Sequence, residues 1–68
     1  MVDTDELLGI IAKRHKTQKD VADAIGVAPK TFYEKMKKGV FGSDEMEIMI
    51  DFLDIDNPMA IFFKKSVT

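Results

Sequence analysis

Apolar residues recur at helical spacing along most of this chain, and no segment alternates between apolar and polar residues with a period of two. Met46, Met49, Ile50 and Leu53, for example, stand at positions i, i+3, i+4 and i+7. This spacing places apolar side chains on one side of a helix, whereas a half-buried strand needs strict alternation. The pattern therefore predicts an all-α fold.

Capping residues, glycine and proline divide the chain into five short helical segments. Asp3 and Thr17 each stand at a cap position with an acidic residue three positions later, which is capping-box spacing. Gly26 and Gly39 each follow a helical run. A helix often ends at a residue with positive φ, and glycine adopts this conformation without steric strain. Ser43 is expected to be the N-cap of the fourth helix. The expected helices span about residues 4–14, 17–25, 29–38, 44–54 and 58–63.

The chain has 68 residues and no cysteine, so we expect one domain over residues 1–68 that folds without a disulfide. The tail at about residues 64–68 is expected to fray. No apolar run approaches the roughly 20 residues that span a bilayer, and the acidic N-terminus does not fit a signal peptide. These features predict a cytoplasmic protein without a membrane partner.

The formal net charge of −2 hides a strong segregation of charge along the chain. Residues 13–38 hold eight Lys or Arg against three acids, a net of +5, while residues 1–12 and 39–68 carry −3 and −4. Because salt screens charges beyond about 8–10 Å, a partner responds to the local patch rather than to the total. The basic segment favours a nucleic-acid partner, and a merely solvated face is the alternative.

A small residue, a glycine and two apolar residues occur at set positions in residues 18–37, namely Ala22, Gly26, Val27 and Phe32. In this arrangement the small residue lets two helices approach, the glycine turns the chain, and the apolar residues pack between the helices. The stretch resembles the helix-turn-helix of phage regulators of the lambda-repressor and Cro type. The segments TFYEKM and IFF are similar to those of small prophage-encoded members of that group.

The resemblance implies a lambda-repressor-like bundle with the motif at helices two and three. It also implies a sequence-specific DNA-binding transcriptional regulator, a Cro-like repressor of phage or prophage origin, in the cytoplasm of a bacterial host. Such a protein binds a pseudo-palindromic double-stranded DNA operator as a homodimer, at least on DNA, through the major groove.

The site residues expected on this basis fall into two sets, because an inward Phe32 and Met36 place other residues of the third helix outward. The base-reading set is Pro29, Lys30, Thr31, Tyr33, Glu34 and Lys37. The phosphate-binding set is Thr17, Gln18, Lys19 and Lys38, with Lys13, Arg14 and Lys16 adding to the positive field. Two alternatives remain open: Glu34 pairs with Lys38 as an i, i+4 ion pair, and Tyr33 covers the edge of the core.

Two positions depart from the usual motif. Ala28 stands where Ser or Thr commonly caps the second motif helix, which removes a side-chain acceptor. Lys35 stands where many relatives have an aliphatic residue, and Met36 takes the next place. The departures leave the assignment of individual base contacts open.

Surplus apolar residues in the last third of the chain are candidates for a contact between two copies. The expected dimer contact consists of Phe52, Ile55, Ile61, Phe62 and Phe63. The alternative is that Phe62 or Phe63 folds back onto the first helix and closes a small core.

An enzyme is not expected, since His15 is the only histidine and no nucleophile or metal-ligand spacing accompanies it. We therefore expect no metal, no cofactor and no small-molecule substrate. The competing hypothesis is a protein-binding antirepressor or antitoxin that reuses the helix-turn-helix without reading DNA. Lys30, Tyr33 and Lys37 discriminate between the two, because a protein-binding module does not need them.

Overall fold

Five α-helices follow one another along residues 2–63, the part of the chain that the computed structural model describes, and this part contains no strand. The expectation of a small all-α bundle is confirmed. The expected fraying of residues 64–68 lies outside the described residues. The helices are α1 (Thr4–Lys13), α2 (Gln18–Ile25), α3 (Pro29–Lys38), α4 (Ser43–Phe52) and α5 (Pro58–Phe62).

The first two helices begin with the caps that the sequence predicts. The Asp3 carboxylate accepts a hydrogen bond from the backbone N–H of Glu6 at 3.2 Å. Thr17 and Asp20 form a complete capping box: the Thr17 hydroxyl oxygen accepts from the Asp20 N–H at 3.1 Å, and the Asp20 carboxylate accepts from the Thr17 N–H at 2.8 Å. Each bond satisfies an amide that has no partner within its own helix.

The fourth helix begins one residue earlier than expected. Gly42, not Ser43, is the N-cap, and Ser43 is the first helical residue. The Glu45 carboxylate reaches back and accepts from the Gly42 N–H at 2.8 Å. A glutamate at the third helical position can supply this bond whatever side chain stands at the N-cap. The expectation for Ser43 was therefore wrong.

The first four helices end in the same hydrogen-bond pattern, the Schellman motif. In α2, the N–H of Val27 donates to the carbonyl of Ala22 at 3.0 Å, and the N–H of Gly26 donates to that of Asp23 at 3.2 Å. The pattern needs a residue with positive φ just beyond the helix. That residue is a glycine in two cases and a non-glycine in the other two: Gly26 at 78°, Gly39 at 70°, His15 at 59° and Asp54 at 49°.

Arg14 joins the end of α1 to the end of α4. Its Nε donates to the carbonyl of Leu53 and its Nη2 to the carbonyl of Asp54, both at 2.8 Å. The Asp54 carboxylate lies 3.9 Å from the same guanidinium group. A cation at the C-terminal end of a helix satisfies free carbonyls and complements the helix dipole. Arg14 therefore has a structural role in the bundle.

The segment before α1 holds the other end of the bundle together. Val2 is buried, and its N–H donates to the carbonyl of Gly39 at 3.0 Å. The next N–H, of Asp3, donates to the carbonyl of Ile61 at 2.6 Å. This short segment thus connects the end of α3 to α5.

The core takes side chains from all five helices and from the connections between them. Phe32 of α3 is fully buried, and its ring lies 5.6 Å from the ring of Phe41, measured between centroids. The other buried apolar residues are Val2, Leu7, Ile11, Val21, Ala22, Ile25, Met49, Leu53, Ile55, Ile61 and Phe62.

Three of the five residues expected at a dimer contact belong to this core, which corrects that expectation. Ile55, Ile61 and Phe62 are only 7%, 5% and 2% exposed, so they offer almost no surface to a second copy. Their side chains instead belong to the core, and the burial of Phe62 agrees with the alternative. Phe52 is half-buried, with the Lys16 ammonium 5.1 Å from its ring centre. Phe63 is exposed.

Two glycines allow a matched test of backbone conformation. A Cβ atom at either Gly9 or Gly26 would meet no heavy atom within 4 Å, but Gly9 is helical whereas Gly26 has φ of 78°. We expect Gly9→Ala to raise the free energy of unfolding by about 0.5–1 kcal/mol. We expect Gly26→Ala to lower it by about 1–2 kcal/mol, because alanine is strained at positive φ. Urea unfolding followed by circular dichroism measures both, and a shift of the same sign in the two variants would contradict this assignment.

Candidate nucleic-acid interface

The third helix presents a polar face to solvent because its apolar residues are turned into the bundle. Phe32 is fully buried and Met36 is half-buried against the core. At 100° per residue, Lys30, Glu34 and Lys37 lie on the side of the helix opposite Phe32, away from the core. The structure accordingly exposes Lys30, Thr31, Tyr33, Glu34 and Lys37, while Pro29 at the start of the helix is half-buried. The base-reading role of this group stays a prediction.

Both ends of this helix are held by the turns that flank it. Gly26 ends α2 with positive φ, and Ala28 provides no side-chain cap, so α3 begins on Pro29 alone. Proline suits the first helical position, since its missing N–H has no partner there in any case. At the other end, Gly39 is buried and its carbonyl accepts from Val2. The exposed face is therefore carried by a helix anchored at both termini.

Tyr33 lies beside the core without being part of it. Its side chain is 51% exposed, and its ring meets the ring of Phe32 edge-on at a centroid distance of 6.4 Å. The tyrosine therefore does cover one edge of the core, while half of its surface remains accessible to a partner. The two roles proposed for Tyr33 are compatible.

The expected phosphate-binding residues lie at the start of α2 and the end of α3. Lys19 and Lys38 are exposed, and Gln18 is the half-buried first residue of α2. Thr17 is exposed, and its hydroxyl oxygen takes part in the capping box. The helices that carry the two groups, α2 and α3, pack directly against each other.

Two of the basic residues between positions 13 and 38, Arg14 and Lys35, bind oxygen atoms within the fold. Arg14 binds backbone carbonyls at the end of α4, so its guanidinium group has a role within the fold, and its contribution to a DNA-binding field stays a prediction. Lys35 forms an ion pair with Glu45. Within residues 2–63, six lysines of this segment make no ion pair: Lys13, Lys16, Lys19, Lys30, Lys37 and Lys38. Of these, Lys16 lies over the ring of Phe52.

Lys35 and Glu45 form a contact that the sequence did not predict. The Lys35 Nζ lies 3.2 Å from Glu45 Oε1, and both side chains are largely shielded from solvent. This contact explains why a lysine can occupy a position where an aliphatic residue is usual. The Glu34–Lys38 pair considered from the sequence does not form, since the ion pairs between two residues of the range 2–63 are Lys35–Glu45 and Arg14–Asp54.

Other kinds of site find little support in residues 2–63. That part of the chain contains no cluster of three or more potential metal ligands, and no helix in it could cross a bilayer. One surface groove of about 210 Å³ lies between α1, α5 and the end of α4, and another of about 210 Å³ is bordered by Val2, Val40 and Phe63. Neither groove includes the exposed residues of α3.

Comparisons of the chain with protein-family models, with curated proteins and with solved structures each find no match. The likeness to phage regulators therefore rests on the positions named in the sequence. In the structure, Ala22 and Phe32 are fully buried and Gly26 has positive φ.

The capping box of α2 makes a pH-dependent contribution to stability. Hydrogen bonds from the Thr17 backbone and then from its side chain lower the pKa of Asp20 below its ordinary value of 3.8, aided by Lys16 and Lys19. Because the folded pKa lies below the unfolded one, the ionised carboxylate stabilises the fold at neutral pH. That contribution is lost as the pH falls through the folded pKa.

We therefore expect Asp20→Asn to be less stable than the parent at about pH 7, with a difference that narrows below about pH 4. Thermal unfolding across this pH range measures the difference. Asp23→Asn is the matched control, since Asp23 is an exposed acid on the same helix whose side chain has no hydrogen bond in the described structure. A constant difference between Asp20→Asn and the parent at all pH values would contradict the expectation.

Proposed function

We propose that this protein is a sequence-specific DNA-binding transcriptional regulator that inserts α3 into the major groove. The observation that carries the proposal is the exposed face of α3, where Lys30, Tyr33, Glu34 and Lys37 project from a helix whose rotation is set by the buried Phe32. A helix presented in this way fits the major groove, which is about 12 Å wide. The likeness to Cro-type regulators supports a repressor of phage or prophage origin, acting in a bacterial cytoplasm.

Several side chains of α3 suit particular contacts with bases or phosphates. The Lys30 ammonium can donate to O6 or N7 of guanine, and the Glu34 carboxylate can accept from N4 of cytosine. Tyr33 can contact a thymine methyl group or donate to a phosphate. Pro29 and Thr31 lie at the start of the helix, where base edges come closest in motifs of this kind.

The second set of residues suits the phosphate backbone beside the groove. Gln18 stands in the first turn of α2, where backbone amides favour an anion. Lys19 and Lys38 are exposed and have no ion pair in the described structure. Thr17 lies next to them at the cap of α2. Contacts of this type set orientation and contribute affinity without reading sequence.

One copy of this domain offers few contacts, so we propose that two copies bind a pseudo-palindromic operator. Half-sites one helical turn apart, about 34 Å, would admit two such helices on one side of the duplex. Phe63 is the most exposed of the residues first assigned to the contact between copies. With Ile55, Ile61 and Phe62 buried, that contact is small, which favours assembly on DNA.

A protein-binding role is the second candidate, and exposed apolar residues favour it. Met59 and Phe63 are 66% and 53% exposed in the acidic second half of the chain. Such residues occur at contacts with other proteins. An antirepressor or antitoxin that docks through this surface would leave the lysines of α3 without a partner, so a DNA-binding assay separates the two proposals.

The first test is the dependence of DNA binding on salt. Affinity for the DNA upstream of the protein's own gene should fall steeply between about 50 and 200 mM salt, because bound cations release counterions from phosphate. The proposed sites contain four exposed lysines, Lys19, Lys30, Lys37 and Lys38. We therefore expect the logarithm of the binding constant to fall with the logarithm of salt concentration at a slope of about −3 to −4 for each bound copy. Fluorescence anisotropy of a labelled duplex measures it. A slope near zero, or no binding at low salt, would reject DNA binding and leave the protein-binding role.

The second test separates base reading from phosphate binding. Lys30→Ala should relax the preference at one base pair by about 1–3 kcal/mol, because a contact to a base edge is lost. Gln18→Ala should weaken binding to all sequences alike. Selection from a duplex library with a randomised core gives the preference of each variant, and thermal unfolding confirms that both fold. Identical behaviour of the two variants would show that the assigned face is wrong.

A further inference from the structure

The ion pair between Lys35 and Glu45 connects α3 to α4 at the edge of the buried side of α3. Lys35 follows Phe32 by three residues, so the two side chains lie about 60° apart around the helix axis. The lysine is half-buried, and its side chain is 30% exposed against 17% for that of Glu45. Lys35 thus occupies the border between the core and the exposed face of α3.

The Glu45 carboxylate is held in place independently of the lysine. Its Oε1 accepts from the Gly42 N–H at 2.8 Å and lies 3.2 Å from Lys35 Nζ. The bond to Gly42 fixes the carboxylate at the first turn of α4, so the lysine meets an acceptor that is already positioned. Oε1 of Glu45, a residue of α4, therefore contacts both Lys35 of α3 and Gly42 of the loop between the two helices.

The other attachments of α3 are at its end and on its buried side rather than at this border. Phe32 anchors the helix to the core, and Gly39 fixes the chain at its end through Val2. The half-buried Met36 adds an apolar contact, but its side chain is flexible. A short, charged contact at the border opposes rotation of the helix about its own axis, since turning would lengthen the distance between the two charges.

We propose that Lys35 and Glu45 are positioning residues that restrain small rotations of α3 about the orientation given by the buried Phe32, so that the pair improves discrimination between DNA sequences without touching a base. This proposal rests on the proposed DNA-binding function. Recognition requires side chains to be held within about 0.5 Å and 10–20° of the productive geometry. The pair also commits the Lys35 charge to the fold, which keeps that charge from adding sequence-independent affinity.

Glu45→Gln is the main test variant, and Glu47→Gln is its matched control. The glutamine oxygen at position 45 can still accept from Gly42, so the variant removes the ion pair but keeps the cap. Glu47 is an exposed acid on the same helix with no ion pair or hydrogen bond of its side chain in the described structure. Both substitutions remove one negative charge and so change the overall electrostatic attraction to DNA similarly.

The measured quantity is the ratio of dissociation constants for a scrambled duplex and for the duplex that the parent protein enriches from a randomised library. We expect Glu45→Gln to lower this ratio about three- to fivefold, an effect of the size that a partly shielded ion pair can supply. Glu47→Gln should leave the ratio unchanged within about twofold. Lys35→Met in the Glu45→Gln background should lower the ratio little further, because the pair is already broken. Equal ratios for the two glutamine variants would overturn the proposal.

A second measurement tests positioning without DNA. In ¹H–¹⁵N spectra of the free protein, Glu45→Gln should shift amide signals along residues 30–38 of α3, whereas Glu47→Gln should shift only signals near its own position in α4. Absence of shifts in α3 would overturn the positioning role whatever the DNA result. If the parent protein shows no preference among duplexes while these shifts occur, the DNA-binding function fails and the mechanical link between α3 and α4 stands.

Discussion

The complete burial of Phe32 orients the helix on which the proposed function depends. Once this ring lies in the core against Phe41, the helical period decides the direction of every other side chain of α3. Ala22, also fully buried, leaves room for α3 to pack against α2. The buried Phe32 ring therefore determines which side of α3 faces solvent, and the exposed lysines lie on that side.

A chain of 68 residues without disulfides has a small core. Hydrogen bonds at the helix ends also hold its helices in place. Four helices end in the same motif, and at Gly26 and Gly39 a glycine adopts the positive φ at little cost. His15 and Asp54 adopt it without that advantage. The Arg14 guanidinium binds the carbonyls around Asp54, which places a compensating interaction at one of the two strained positions.

Local features of the fold could be predicted from the sequence, whereas contacts between distant residues could not. The capping box of Thr17 and Asp20 and the glycine turn at Gly26 depend on residues within a few positions of one another, and the structure contains both. The contact of Arg14 with the end of α4 joins residues 39 and 40 positions apart. No spacing in the sequence signals such a contact.

The error at Ser43 has a related cause. A serine before an acidic first turn has the properties of a cap, but the Glu45 side chain supplied the bond from within the helix. The buried positions of Ile61 and Phe62 likewise depend on how α5 returns to the core, which apolar spacing alone does not determine. The sequence pattern shows which residues share an apolar face of a helix. It does not show whether that face packs into the protein's own core or stays exposed.

The basic residues of this chain fall into two groups. Some bind oxygen atoms within the fold, and others are exposed without an ion pair in the described structure. Residues 13–38 carry a net charge of +5, yet Arg14 and Lys35 are engaged with carbonyl and carboxylate oxygens of the same chain. The lysines without an ion pair include Lys30 and Lys37, which share the exposed face of α3. The cations that stabilise the bundle are thus different residues from the lysines exposed on α3. A lysine at position 35 is therefore better understood as a replacement for a core contact than as an additional DNA ligand.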